Sequence, residues 1–503
     1  MFDIRIMGDS MTWTLDNVLD ATGGELSGHF MGSGEVPTFP GISTDSRKAG
    51  PGELFIAIKG DIYDGHDFIG NALERGVRGI LVSRAKADNI LNLFCKNKKK
   101  TCIAVSDTLK SLGNLAAFHR NRLNVPLIAI TGSNGKTTTR KMTAQIMRQR
   151  FRTLSTRGNF NNEIGLPLTL LNLNESHERA VVELGMNRPG EIGRLAEIST
   201  PDVGVITNIG PAHLDGVGSL EGVMRAKGEL LEKIGPDKTA VLNADDPMTP
   251  KLRSLHPGPG RVFLFGFSRN ADIRASEVRS RGKGTAFILH LPTKEIPIHL
   301  PIPGKFMVSN ALAAAAAGYV MGLSPEEIRA GLENFTPVRG RMNIFETRAG
   351  VHIVDDTYNA NPGSMKAALM TLSSLIVASG REKQRGIFVA GDMFELGDDA
   401  ASLHRETGSA AAKSGIAKLY ATGSFAEALA SGAREQGMND RDIFIGNKKE
   451  LIENLKNYLM PGDWVLIKGS RGMAMEDIVE KIRNWESPEK SPLEGVFRNW
   501  ELG

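Results

Sequence analysis

Ile128-Ala129-Ile130-Thr131-Gly132-Ser133-Asn134-Gly135-Lys136-Thr137-Thr138-Thr139 decides the fold of this chain. Pro126 and the apolar run after it read as a buried strand. A glycine turn follows, and Arg140 to Arg148 then reads as a helix. Strand, glycine turn, lysine, hydroxyl, helix is the grammar of a nucleotide-phosphate cradle. Glycines let the backbone approach phosphate oxygens, and amides exposed at the helix start donate to them. Lys136 would reach the terminal phosphates and the Thr137 hydroxyl would hold Mg²⁺. The general pattern wants a further glycine where Ile130 stands, so the loop is a shortened variant, Thr-Gly-x-Asn-Gly-Lys-Thr-Thr.

Working outward, 503 residues are too many for one core, and about three domains is the natural division. Apolar and charged fractions are those of a soluble globular protein. A net charge of +4 is small for this length, and no basic stripe carries interleaved aromatics, so nucleic acid is not an expected partner. The run Lys96 to Lys100 reads as a solvated loop. The two cysteines, Cys95 and Cys102, flank that run and match no metal spacing. They are read as reduced thiols in a cytoplasmic protein. The N-terminus lacks a signal pattern, and no membrane span is expected, since no stretch offers about eighteen uninterrupted apolar residues. The alanine-rich run Asn310 to Gly322 is too short and reads as a packed core helix.

The expected fold class is α/β in three units. Residues 1–108 form a small α/β domain. Thr14 to Ala21 is a short helix there, and Gly52 to Ile58 and Gly79 to Val82 are strands. Ser43 to Arg47 reads equally as a turn or a small-ligand site, and His66 as a helix-start residue. Residues 109–337 form a central domain with a mostly parallel sheet around the phosphate loop. Its strand Ala180 to Val182 ends in Glu183, and a carboxylate at the carboxyl end of a parallel strand stands over the ligand crevice, where it can hold Mg²⁺. Val203 to Thr207 runs into Asn208 and His213 on the same edge. Lys227 lies on a helix that starts near Ser219, between Ala226 and Gly228. Val262 to Phe267 and Ala286 to Leu291 read as strands of an antiparallel extension. Ser324-Pro325-Glu326-Glu327 is a capping box with proline at the first helical position. Residues 338–484 alternate strand and helix strictly and form a Rossmann-like doubly wound domain. No Gly-x-Gly-x-x-Gly follows its first strand, so no dinucleotide cofactor is assigned. The polar tail 485–503 is expected to be poorly ordered or lightly docked.

Together these motifs resemble the Mur ligase family, ATP-dependent amide-forming enzymes of peptidoglycan synthesis. The resemblance covers about residues 40 to 480 and rests on the spacing of Thr131 to Thr138, Glu183, Asn208, His213, Lys227, Asn310, Arg341 and Asp356. Within the family, Gly158 to Pro167, Asp355 to Pro362 and Gly391 to Gly397 look like the member that adds D-alanyl-D-alanine to UDP-N-acetylmuramoyl-tripeptide. The Asp-Asn-Pro-Arg motif of the member that adds the third amino acid is not found. A third-residue adder, a folate polyglutamating relative and a non-ligating nucleotide switch are the alternatives. The Asp45-Ser46-Arg47 domain ahead of the loop disfavours the folate case.

The resemblance implies a mechanism and roles. A substrate carboxylate attacks the γ-phosphate of ATP to give an acyl phosphate, which the D-alanyl-D-alanine amine then attacks. Such a site aligns and neutralises charge rather than supplying its own nucleophile, and no Ser/His/Asp triad is found. By family similarity, Gly132, Ser133, Asn134, Gly135, Lys136, Thr137 and Thr138 cradle ATP. Thr137 and Glu183 bind one Mg²⁺, and His213 belongs to a second. Lys227 is a candidate for carbamylation by CO₂, which would turn a cation into an anionic oxygen ligand; the alternative is a free lysine contacting phosphate. Arg341 and Asp356 reach ATP from the linker and third domain as that domain closes, and Asn310 and Tyr358 contact the adenosine. Ser43, Thr44, Ser46 and Arg47 lie near the uridine diphosphate, and Asn161 and Asn162 near the peptidyl end. A monomer is expected.

Overall fold

The structure is a computed structural model that describes residues 12–29, 36–60, 62–94, 100–258, 260–378 and 384–484. Cys95, most of the lysine run and the tail 485–503 lie outside the described residues.

The phosphate loop follows the strand Leu127–Thr131, every residue of which is buried. Burial on both faces is what a parallel strand covered by helices requires. Alternate side chains go to opposite sides. Ile128 and Ile130 pack with Met142, Ile146 and the alanines of the helix Lys305–Val320. Leu127 and Ala129 pack with Leu112, Leu115 and Leu195 on the other face. The alanine-rich run is thus a core helix, all but smooth, which lets it lie close to the helix Lys136–Met147.

This strand sits inside a nine-stranded sheet. Val203–Ile206 flanks it in parallel on one side and Arg179–Glu183 on the other. Thr153–Ser155 closes one edge, while Thr239–Asn243 and Val262–Gly266 continue the parallel run beyond Val203–Ile206. The strand at Val262 was expected to be antiparallel and is not. Antiparallel pairing begins only where Ile273–Arg281 meets Gly284–His290, and Glu295–Leu300 forms the outer edge.

Ahead of this unit, a five-stranded sheet runs Glu25–His29, Thr101–Val105, Gly79–Ser83, Leu54–Ile56 and Ile42–Ser43, parallel except for its first pair. After it comes a six-stranded sheet in the order Asn343–Glu346, His352–Asp356, Trp464–Lys468, Gly386–Ala390, Lys418–Ala421, Ile443–Ile445. Only the first strand is antiparallel. The last strand in the chain is inserted beside the second, so the winding reverses there and helices cover both faces. The expected capping box is present: Ser324 accepts from the Glu327 amide and Glu327 accepts from the Ser324 amide.

Candidate active site

The three strands Val203–Ile206, Leu127–Thr131 and Arg179–Glu183 are in register, so their carboxyl ends arrive side by side. That brings together Thr207 to His213, the glycine loop and Glu183, as the sequence implied. The two loop glycines are required for distinct reasons. Gly132 has φ +142°, and a Cβ there would lie 1.9 Å from Thr207 Oγ1. Gly135 has φ +81°, and a Cβ there would lie 2.1 Å from Asn310 Oδ1. Asn310 therefore packs beneath the loop.

The outgoing strand loop holds the glycine loop in shape. Ser133 N–H donates to the Asn208 carbonyl (2.9 Å), and the Ser133 hydroxyl donates to the Gly210 carbonyl (2.8 Å). Asn134 N–H donates to Asn208 Oδ1 (3.0 Å), and Asn208 Nδ2 donates back to the Asn134 carbonyl (3.0 Å). The amides of Ser133 and Asn134 are thus committed within the protein. The helix begins at Lys136, four positions before Arg140, with Gly135 as its N-cap and no side chain capping it. The first-turn amides at Lys136, Thr137 and Thr138 have no intrahelical partner and are the ones suited to an anion.

Lys136 Nζ donates to the carbonyl of Gly132 (2.7 Å). Thr137 Oγ1 donates to Glu183 Oε1 (3.3 Å), and Asn161 Nδ2 donates to the same oxygen (2.9 Å). Glu183 Oε2 is buried without a hydrogen-bond partner, and Arg140 Nε stands 3.5 Å away, also unpartnered. A hydroxyl and a carboxylate oxygen with a spare lone pair suit a hard cation. Among the described residues no group of three His, Cys, Asp or Glu gathers around a point. Such a cation would therefore complete its shell with phosphate oxygens and water, the habit of Mg²⁺.

Lys227 is 1% exposed on the helix Leu220–Lys233. Burial, and then repulsion from Lys136, hold its amine well below the usual lysine range. A neutral amine is the form that reacts with CO₂. His213 takes a left-handed φ of 57°, and its Nδ1 lies 2.6 Å from Glu395 Oε2 of the third unit, off the line of a hydrogen bond.

The third unit closes the site. Arg341 lies over the Tyr358 ring (4.2 Å to the centroid) and donates to Thr137 Oγ1 (3.1 Å). Asp356 is buried against Lys468 Nζ (2.6 Å) and accepts from Met342 N–H (3.1 Å). Burial pushes its carboxyl up even with the Lys468 ammonium beside it. The resulting cleft has a volume of about 830 Å³ and is lined by the loop, Glu183, Asn161, Asn162, His213, Asn310, Arg341, Asp356 and Tyr358.

The four residues Ser43, Thr44, Ser46 and Arg47 do not line it. Ser43 ends the strand Ile42–Ser43 at the carboxyl edge of the first sheet and the other three follow it, where Arg47 pairs with Asp45 (2.9 Å). Asn162 Oδ1 accepts the amides of Ile164 and Gly165, a turn role. His66 is structural: Ser83 N–H donates to its Nε2, so its Nδ1–H faces Asp64. Sequence reasoning assigned no role to Lys468, Arg140, Glu395 or Asn361. Lys468 ends a strand just before Gly469-Ser470-Arg471-Gly472, a position that could have marked it. The others are recognised only from contacts between distant segments.

Comparison with known proteins agrees with this geometry. The Mur ligase family, catalytic domain, matches residues 38–120; the Mur ligase middle domain, residues 130–318; and the Mur ligase, glutamate ligase domain, residues 340–471. The chain is 36% identical over 473 residues to the UDP-N-acetylmuramoyl-tripeptide–D-alanyl-D-alanine ligase of Escherichia coli (strain K12), covering 93% of this chain and 98% of that one. A MurF crystal structure from Acinetobacter baumannii superposes with a TM-score of 0.84 at 32% identity, over 95% of this chain and 100% of the other. The MurF ligase of Thermotoga maritima, solved in complex with ADP, superposes with a TM-score of 0.77 at 26% identity, over 88% and 97% of the two chains.

Proposed function

The chain belongs to the Mur ligase family, and from that premise we propose that it joins D-alanyl-D-alanine to UDP-N-acetylmuramoyl-tripeptide. It is an ATP-dependent ligase that forms a carbon–nitrogen bond in peptidoglycan synthesis. The tripeptide carboxylate attacks the γ-phosphate, giving an acyl phosphate and ADP. The dipeptide amine then attacks the acyl carbon, a C–N bond forms, the C–O bond to phosphate breaks, and phosphate leaves. A carboxylate oxygen is a poor leaving group until it carries a phosphoryl group, which is why ATP is consumed.

The observation that carries this reading is the uncapped start of the Lys136 helix, with Glu183 and Arg341 converging on Thr137. The amides of Lys136 to Thr138 and the Lys136 ammonium hold the phosphates. Thr137 and Glu183 would hold Mg²⁺, which would supply charge neutralisation at the phosphates. His213 and a carbamylated Lys227 would serve a second ion. Asn310 and Tyr358 face the adenosine, and Arg341 and Asp356 approach the nucleotide from the third unit. Residues 1–108, with Ser43, Thr44, Ser46 and Arg47, take the uridine diphosphate end. Residues 109–337 and 338–484 enclose ATP, and Asn161 and Asn162 face the peptidyl end. The reaction belongs to the cytoplasm, where ATP is available, and serves wall growth and division. No helix among the described residues is long and apolar enough to cross a membrane.

The test is phosphate release with UDP-N-acetylmuramoyl-tripeptide and ATP, with and without D-alanyl-D-alanine. Release should need both the tripeptide and the dipeptide. Release that is indifferent to the dipeptide, or equal with single amino acids, would defeat the assignment.

A further inference from the structure

Three side chains of the third unit reach the central unit around the loop: Arg341 to Thr137, Glu395 to His213 and Asn361 to Asn134. The last pair has the simplest geometry and the least obvious purpose. Asn134 sits in the middle of the phosphate loop, yet three of its four polar atoms are engaged within the protein. Its N–H and carbonyl are clamped by the Asn208 side chain, and the Thr207 hydroxyl donates to the same carbonyl. Its side-chain Oδ1 accepts from Asn361 Nδ2 at 2.7 Å.

Asn361 is fixed with equal care. Its Oδ1 accepts from Ser364 N–H (2.9 Å), and Ser364 Oγ accepts from Asn361 N–H (3.0 Å). This reciprocal cap opens the helix Pro362–Ala378. It also determines which end of the amide is the donor, because Oδ1 is already engaged by an N–H. The remaining NH₂ is thus held rigidly, by a helix of the third unit, toward one atom of the phosphate loop. At Gly363 a Cβ would stand 3.3 Å from Asn134 Nδ2, so the chain passes close there.

We propose that Asn361 is a positioning residue. Through Asn134 it sets the register of the third unit on the phosphate loop, so that Arg341 arrives at Thr137 only when the loop has its bound-competent shape. Asn134 acts as the relay: its backbone is shaped by Thr207 and Asn208, and its side chain reports that shape across the cleft. The Asn134 backbone N–H, committed to Asn208, is then not a phosphate donor. The inference rests on the ligase reading above.

The experiment uses the full chain with Asn361→Ser, Asn134→Ala and the double variant. Serine keeps the helix cap but is too short to reach Asn134, so folding and register are separated. Each single change should lower kcat by about tenfold to a hundredfold, the cost of a small misplacement, with KM for ATP within about twofold. The double variant should be no slower than the slower single one, because both remove one contact. X-ray scattering of the ADP complex should show Asn361→Ser more extended than the unaltered chain. Losses that multiply in the double variant, an unchanged kcat, or an unchanged scattering profile would each overturn the pairing. Should Asn361→Ser melt early, Asn134→Ala, which leaves the cap intact, carries the same expectations. An unaltered chain that forms no ADP, with a scattering shift that still depends on Asn361, would remove the ligase reading and leave the pairing standing.

Discussion

Gly135→Ala is the sharpest test of the loop. An alanine at φ +81° carries left-handed strain of about 1–2 kcal/mol. Its Cβ would also stand 2.1 Å from Asn310 Oδ1, 2.9 Å from Cγ and 3.2 Å from Nδ2. Asn310 is 5% exposed, on a helix packed into the core, so it cannot simply swing into water. Forcing it aside is overpacking, which costs about 1–3 kcal/mol. If the loop escapes by leaving its cradle shape, the whole of that, about 2–5 kcal/mol, appears as lost nucleotide affinity, from roughly 30-fold to a few thousand-fold. The three atoms that the Cβ meets all belong to Asn310. In an Asn310→Ala background the steric part therefore vanishes, leaving the strain and a loss of roughly 5- to 30-fold. Calorimetric titration of ADP into the unaltered, single and double variants completes the cycle. Equal losses in both backgrounds would refute the contact, and wild-type affinity for Gly135→Ala would refute the cradle itself.

Other changes have equally definite outcomes. Lys136→Ala should abolish ligation while leaving the melting temperature near its starting value, since Lys136 hydrogen-bonds to carbonyls of its own loop. Lys227→Met should abolish ligation yet raise the melting temperature of the free protein, because it removes a buried amine repelled by Lys136; thermal melts decide this, and a lower value would be against it. Asp356→Asn should destabilise the chain by about 3–5 kcal/mol in urea unfolding, since it strands the buried Lys468 ammonium. Burial pushes the Cys102 thiol up from 9.0 to about 11. Between those values the unfolded chain has lost a proton that the folded chain keeps, so stability falls as pH rises through that window, a slope that Cys102→Ala should remove. The same thiol should resist alkylation until the protein unfolds.

Much of this architecture could be read from the chain because local chemistry and global fold agree there. The strand at Leu127 has burial on both faces, the helix at Ser324 has its cap box, and the third unit alternates strand and helix from His352–Asp356 onward, although the strict alternation expected there missed the antiparallel strand Asn343–Glu346 before it. The failures have physical causes. Three threonines after Lys136 disguise a helix start, because β-branched residues read poorly as helix. Glu295–Leu300 alternates exposed and buried residues perfectly, but Pro297 argues against a strand; it is tolerated because this strand forms the sheet's outer edge. Ile273–Arg281 buries only its first residues, and its charged second half hides the pairing. At the site, Glu183, His213 and Arg341 were legible as ends of strands or linkers. Arg140, Lys468 and Asn361 were not, because their meaning lies in partners 43, 112 and 227 residues away, a separation that no local pattern encodes.

The distribution of charge explains why two units are needed. On the central unit, Lys136 and Arg140 stand beside one buried carboxylate, Glu183, and Glu183 Oε2 lacks a hydrogen bond. Arg341 adds a third cation from the third unit, while Lys468 is already matched by Asp356. Three cations around one buried carboxylate leave a positive excess, and a triphosphate has the sign and size to balance it. The central unit alone would bind that ligand open to water, and an acyl phosphate formed there would hydrolyse. Arg341 cannot reach Thr137 unless the third unit covers the loop, so in a closing movement the final neutralising charge and the exclusion of water would arrive together. Closure would then gate phosphoryl transfer, the property that a ligase needs beyond an ATPase built on the same loop.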